Sequence, residues 1–263
     1  MNKYINKIIN KISQPHAIGS SPMAKRLSQP MAEKGKVYKI IFLGDSITST
    51  EWVHPNFREI IEYVLKDYIE ETTKGWKAPS WFIRTINSAL NGGTSNDFLF
   101  YLNDYVISYK PDLVILQGTR NDFTLNISVT KHIDNMNKII NKILNNNSNV
   151  VFIGTTPSLL KEKTKEYLPY IKEAKKIAEK NNIQYVDLFY KYQELDLAKI
   201  YTFVSEGNSA EGIKPGDIDW GHPNQLGNAY IAKILLEDIF DIKFNPELYI
   251  NETQDGKMYP KYR

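Results

Sequence analysis

A serine hydroxyl becomes a nucleophile when a neighbouring base takes its proton and when hydrogen-bond donors await the oxyanion that forms on the attacked carbonyl. In this chain of 263 residues, Ser46 follows the apolar run Ile40-Ile41-Phe42-Leu43 in the turn Gly44-Asp45-Ser46. A strand-to-helix turn there would point the hydroxyl into a crevice and leave the Ser46 N–H free to donate. Taken alone, Gly-Asp-Ser is also a common turn in which Asp caps a helix. The base of first resort near neutral pH is histidine, and the chain holds four: His16, His54, His132 and His222. His222 lies in Asp217-Ile218-Asp219-Trp220-Gly221-His222-Pro223-Asn224. A turn loosened by Gly221 can bring the Asp219 carboxylate to the imidazole Nδ1, fixing the tautomer while Nε2 faces the serine. Without Ser46, the same segment would read as a turn closed by Asp219, with His222 capping a helix opened by Pro223.

The other histidines compete less well. His16 falls in a linker and His132 in an amphipathic helix, and both are expected at the surface. His54 follows Ser46 by eight residues in Trp52-Val53-His54-Pro55 and could reach the crevice. It has no acid in an equivalent turn, only the nearby Glu51. Gly92 or Gly93 could supply a backbone N–H where no side chain intrudes, and Asn121 could supply an uncharged amide donor. Each of these is ordinary by itself, since Gly pairs mark turns and Asn caps loops. Trp52, Trp81, Trp220 and Tyr201 are candidate pocket walls, although aromatics at such spacings more often belong to a core.

In combination these segments resemble the SGNH, or GDSL-type, serine hydrolases. Gly44-Asp45-Ser46-Ile47-Thr48 is similar to the first block of that family. Asn87-Ser88-Ala89-Leu90-Asn91-Gly92-Gly93-Thr94-Ser95 is similar to the second, in a register that selects Gly92 as the oxyanion donor. Gly118 to Asp122 resembles the third and puts its Asn at Asn121, while Asp219 to Asn224 resembles the last, with the Asp and His of a triad. The blocks occur in the family order between Gly44 and about Ala232. One departure is visible: Thr119 and Arg120 both stand between Gly118 and Asn121, where the family has one residue.

The resemblance implies a flavodoxin-like α/β fold, a three-layer α/β/α sandwich with a central parallel sheet of about five strands. It implies ester hydrolysis through an acyl-enzyme, with Ser46 attacking, His222 as base and Asp219 orienting it. The Ser46 N–H, the Gly92 N–H and the Asn121 amide would form the oxyanion hole, and Asp45, Arg120 and Trp220 would contact substrate. No metal and no organic cofactor is expected. Family substrates include acetylated sugars, lipids, thioesters and aryl esters. The sequence shows little sign of a long insertion forming a lipid lid, which favours a small acyl group such as acetyl on a carbohydrate or similar small molecule. A guanidinium at Arg120 would suit an acidic acyl group or a phosphate, whereas a surface or sheet-edge Arg120 is the commoner arrangement. Two other classes are weighed against the hydrolase. A non-catalytic carbohydrate- or protein-binding module should have lost one of the catalytic residues. A nucleotide-binding α/β protein should carry a glycine-rich phosphate loop with a lysine after the first strand, and Gly44-Asp45-Ser46 lacks it.

The elements that must position these residues are legible as alternation. Apolar runs at Val37 to Leu43, Trp81 to Ile86, Leu113 to Leu116, Val150 to Ile153 and Tyr185 to Leu188 read as buried strands. Helices are expected over Asn56 to Glu71, Ser95 to Ser108, Ser128 to Leu144, Lys161 to Lys180 and Gln225 to Ile239. In an open α/β sheet ligands bind beyond the carboxyl ends of the strands, and there the chemically interesting residues fall. Residues 1–36 read as a basic amphipathic helix over about 1–14 followed by a linker, residues 37–240 as the hydrolase domain, and residues 241–263 as an irregular tail. The helix could dock on the domain, or touch an anionic membrane surface or a partner protein.

With 33 Lys and Arg against 30 Asp and Glu, the net charge is +3 and no basic block stands out. A nucleic-acid partner is therefore not expected. The chain has no cysteine, which removes disulfides, thiolate metal sites and a cysteine nucleophile. Lys3, Lys7 and Lys11 interrupt the first apolar stretch, so a signal peptide is not expected there, no membrane span is expected along the chain, and a cytoplasmic location is the expectation. The oligomeric state is not legible.

Overall fold

The computed structural model describes residues 37–73, 83–209 and 212–263. The basic N-terminal helix, its linker, His16 and Trp81 lie outside the described residues. The elements are β1 (Tyr38–Leu43), α1 (Ser46–Ser49), α2 (Phe57–Thr73), β2 (Ile83–Asn87), α3 (Ser95–Tyr105), β3 (Leu113–Gln117), α4 (Asn121–Thr124), α5 (Val129–Asn145), β4 (Asn149–Ile153), α6 (Lys161–Lys180), β5 (Gln184–Val186), α7 (Leu188–Gln193), α8 (Leu197–Ile200), α9 (Gln225–Phe240) and α10 (Pro246–Gln254). The five strands form one parallel sheet in the order β2-β1-β3-β4-β5, flanked by helices. This is the α/β architecture expected.

Two compact units share the chain. One comprises Ile41–His54 and Asn87–Asn228, and the other includes Pro55–Ile86 and Ala229–Arg263. Every candidate catalytic residue belongs to the first. There β3 pairs with β4 in the register Leu113↔Asn149 to Gln117↔Ile153, and β4 pairs with β5 from Val151↔Gln184 to Ile153↔Val186. All five residues of β3 are buried, the pattern of a strand covered on both faces. The helix α5 turns Met136, Ile139, Ile140 and Ile143 inward at helical spacing, and the same face carries the buried His132 and Asn135. The helix α6 runs through Pro169 despite the amide N–H that proline lacks, with Tyr167, Tyr170 and Ile171 packed beside Phe189.

The second unit corrects one expectation. Residues 241–263 are not an irregular tail. Asn245 caps α10 by accepting from the Leu248 N–H at 3.1 Å, with Pro246 as the first helical residue. The Asn245 N–H donates to the Tyr262 carbonyl, and the Tyr262 hydroxyl donates to Asp67 at 2.9 Å. The polar composition that suggested an irregular tail includes the capping residues, and one buried aromatic stack, Phe244 on Tyr262, lies among them. Among the described residues no helix is long and apolar enough to cross a membrane.

Candidate active site

The Ser46 turn is set by small, specific contacts. Asp45 caps α1 with Oδ1 accepting from the Ile47 N–H at 3.0 Å. A Cβ on Gly44 would lie 2.3 Å from the Thr48 hydroxyl and 2.7 Å from Gln117 Oε1, so only glycine lets the turn close there. The Thr48 hydroxyl donates to Gln117 Oε1, and Gln117 Nε2 donates to the Thr155 hydroxyl at 3.4 Å. Gln117, the last residue of β3, thus braces the α1 turn against the segment after β4.

Ser46, largely buried, lies with its hydroxyl 2.8 Å from His222 Nε2, and His222 Nδ1 lies 2.7 Å from Asp219 Oδ2. The second Asp219 oxygen accepts from the Gly221 and His222 N–H groups at 2.9 and 3.0 Å. Burial pushes the Asp219 carboxyl up, but its hydrogen bond and charge interaction with His222 outweigh that and leave it below its ordinary value. The loop itself is pinned on both flanks. The Asp219 N–H donates to Phe203 O at 2.7 Å, and the Trp220 carbonyl accepts from the Leu159 N–H and the Ser158 hydroxyl. Beyond the histidine, the Asn224 side chain accepts from the Gly227 N–H and donates to Lys199 O and the Thr202 hydroxyl. Asn224 therefore caps α9, the start that the sequence reading gave to Pro223.

The segments that carry Gly92 and Asn121 are joined by hydrogen bonds. Gly92 sits at φ +71°, a conformation glycine adopts without strain. The Asn121 amide donates to Gly93 O at 3.0 Å, leaving its second proton for another acceptor. Thr119, part of the departure from the family spacing, turns out to be a connector: its hydroxyl donates to Gly93 O and accepts from the Asn121 N–H, both at 3.0 Å. A second bridge joins the same two segments, with the Asp122 carboxylate accepting from the Ser95 N–H at 2.8 Å and lying 2.7 Å from His132 Nδ1.

Three expectations need correction. His132 is not at the surface: it is 2% exposed, because the inward face of α5 turns it toward the equally buried Asp122. Arg120 is neither a surface nor a sheet-edge residue but 3% exposed, with Nη2 donating to Gly221 O at 3.1 Å. Tyr201 is a core residue rather than a pocket wall, its hydroxyl donating to Pro157 O. Among the remaining candidates, Trp52 is half-exposed with its ring edge-on to His222 at 5.4 Å, and Trp220 lines a pocket with Arg120. His54 is exposed, and the imidazole bonded to Ser46 is that of His222. Asp45 is fully buried; burial raises its pKa, against the lowering influence of the Arg120 charge and the Ile47 N–H.

Sequence reasoning missed Gln117, Thr119 and the inward His132. A polar residue ending an otherwise apolar strand was the available signal for Gln117, and its position on the apolar stripe of α5 was the signal for His132. Among the described residues no cluster of three metal-ligating side chains occurs.

The profile of the GDSL-like lipase/acylhydrolase family matches residues 40–235. No curated protein sequence matches significantly. Among solved structures, the chain is similar to Axe2, an acetylxylan esterase from Geobacillus stearothermophilus, at 18% identity and TM-score 0.59 over 78% of this chain and 94% of that one. It is also similar to a lipase/acylhydrolase from Enterococcus faecalis, at 21% identity and TM-score 0.58 over 78% and 96% of the two chains. The acetyl xylan esterase AlAXEase gives 21% identity and TM-score 0.59 over 76% and 99%. At these identities the likeness is one of fold.

Proposed function

Because this chain belongs to the GDSL-like lipase/acylhydrolase family of ester-hydrolysing enzymes, we propose that it cleaves a carboxylic ester through a Ser46 acyl-enzyme. The observation that carries this reading is the unbroken line from Ser46 Oγ through His222 Nε2 and Nδ1 to Asp219, at 2.8 and 2.7 Å. His222 Nε2 takes the Ser46 proton as Oγ bonds to the ester carbonyl carbon. The carbonyl π electrons move to oxygen, where the Ser46 N–H, the Gly92 N–H and the Asn121 amide receive the charge. The tetrahedral adduct collapses, His222 passes its proton to the departing alcohol, and the acyl group stays on Ser46. Water then repeats the sequence, giving its proton to His222 and releasing the carboxylic acid. Asp219 keeps the imidazole in the tautomer this requires and stabilises the imidazolium.

The substrate class we infer is a small acyl ester, with an acetylated carbohydrate as the first choice. Support comes from the similar folds described as acetylxylan esterases and from the short segments that follow each strand of the site. The test is the intact mass after treatment with a fluorophosphonate. One adduct on the native chain, absent from Ser46→Ala and His222→Ala, is expected. An unmodified native chain would overturn the reading and favour a binding module on the same fold.

A further inference from the structure

Beside the triad loop, in the same compact unit, lies a pocket of about 230 Å³ lined among others by Arg120, Lys163, Glu166, Tyr167 and Trp220. None of the hydrolytic steps uses it, yet it shares two walls with the site. Trp220 directly follows Asp219, and Arg120 directly precedes Asn121 and donates to the carbonyl of Gly221. Its chemistry is not that of a neutral acetyl binder. Arg120 is a buried cation that lines the pocket, with Nη2 on the Gly221 carbonyl and the guanidinium beside the Tyr167 hydroxyl. The guanidinium fork is suited to a carboxylate, and in a water-poor setting its field is stronger than at the surface.

At the rim, Lys163 sits 5.7 Å over the Trp220 ring and 3.5 Å from Glu166, a partly exposed pair that costs little to part. The lining thus holds two cations against one carboxylate. Asp45, whose charge also acts on Arg120, is not among the lining residues. The Tyr167 hydroxyl, interacting with Arg120 in the same wall, adds a polar group beside the guanidinium.

We propose that this pocket receives a carboxylate carried by the ester substrate, held between Arg120 and Lys163. This rests on the esterase reading and narrows it: the favoured esters carry a negative charge on either the acyl or the alcohol portion. The experiment is calorimetric titration of the full chain bearing Ser46→Ala, so that binding is read without turnover. Monoethyl succinate, charged on the acyl side, is compared with diethyl succinate, and 4-acetoxybenzoate, charged on the alcohol side, with its methyl ester.

At least one anion is expected to bind about tenfold more tightly than its neutral counterpart, an advantage that shrinks with added salt. Whichever pair shows it identifies the portion that enters the pocket. Lys163→Glu, a change at a partly exposed site, should cut that advantage to about twofold or less. Two results would overturn the proposal: both anions binding no better than their neutral esters, or the advantage surviving Lys163→Glu in a chain with unchanged circular dichroism. Fluorophosphonate labelling of the native chain keeps the two readings separate. A missing adduct alongside an intact anion preference removes the esterase reading alone, and an adduct without the preference removes only the pocket's ligand.

Discussion

Two imidazole–carboxylate pairs in the same unit share one geometry and differ in their surroundings. His222–Asp219 and His132–Asp122 have the same Nδ1···Oδ2 separation of 2.7 Å. Each carboxylate uses its second oxygen on backbone N–H groups, and each imidazole meets an aromatic ring nearly edge-on, Trp52 at 5.4 Å and Tyr170 at 5.3 Å. The surroundings diverge. The side chains of His222 and Asp219 are 17% and 19% exposed, and the far nitrogen of His222 meets a serine hydroxyl. Those of His132 and Asp122 are 2% and 0% exposed, and the pair is tied to Ser95, whose hydroxyl accepts from Asn135. Pair geometry is therefore common to the base we propose and to a structural clamp. Access for substrate and a hydroxyl within reach separate them.

Substitution should split the two pairs by what is lost. Replacing His222 with Ala is expected to lower kcat by about ten-thousandfold or more, while the melting temperature stays within about 2 °C of the native value. Steady-state kinetics on an aryl acetate and a thermal melt check both halves. Replacing His132 with Leu leaves the buried Asp122 without its imidazole, and about 3 kcal/mol of stability should go with it. The melting temperature should fall by roughly 10 °C. A His132→Leu chain as stable as the native one would erase the distinction between the pairs.

Between those extremes lies the bridge that joins the Gly92–Ser95 and Thr119–Asp122 segments. Asn121→Ala should lower kcat about a hundredfold with KM little changed, because an oxyanion donor acts mainly in the transition state. Thr119→Val removes a connector rather than a donor and should cost about tenfold in kcat. Equal effects of the two substitutions would mean that Asn121 acts only by holding Gly93.

What could be read in advance follows the same division. The strands and long helices are periodic and local, so β3, α6 and α9 fall within a residue of their expected bounds. The hydrogen-bonded line of Ser46, His222 and Asp219 was legible as a candidate because the serine turn and the histidine loop each carry a short, spaced pattern. Gln117, Thr119 and His132 were not, since each takes its meaning from a partner that only the folded chain supplies: Thr48 across 69 residues, Gly93 across 26 and Asp122 from the preceding helix. The tail was misjudged for a related reason. Asn245, Pro246 and Asp255 are turn formers by composition, and here they bound a helix instead of replacing one.

The smallest effect concerns acid. Asp219 sits below its ordinary value of 3.8, so the stability it contributes is present above that pH and is lost as pH falls through the depressed folded value. Asp45 has the opposite sign. Burial outweighs Arg120 and raises it, so its contribution is present at low pH and lost as pH rises through the raised folded value. Urea midpoints measured at about pH 6 and about pH 3 should therefore respond in opposite directions to two isosteric changes. Asp219→Asn should flatten the decline on acidification, and Asp45→Asn, which keeps a side chain able to cap α1, should steepen it. Parallel shifts in the two variants would mean that the carboxylates titrate alike, and that the His222 loop confers no protection on Asp219 that the buried turn denies Asp45.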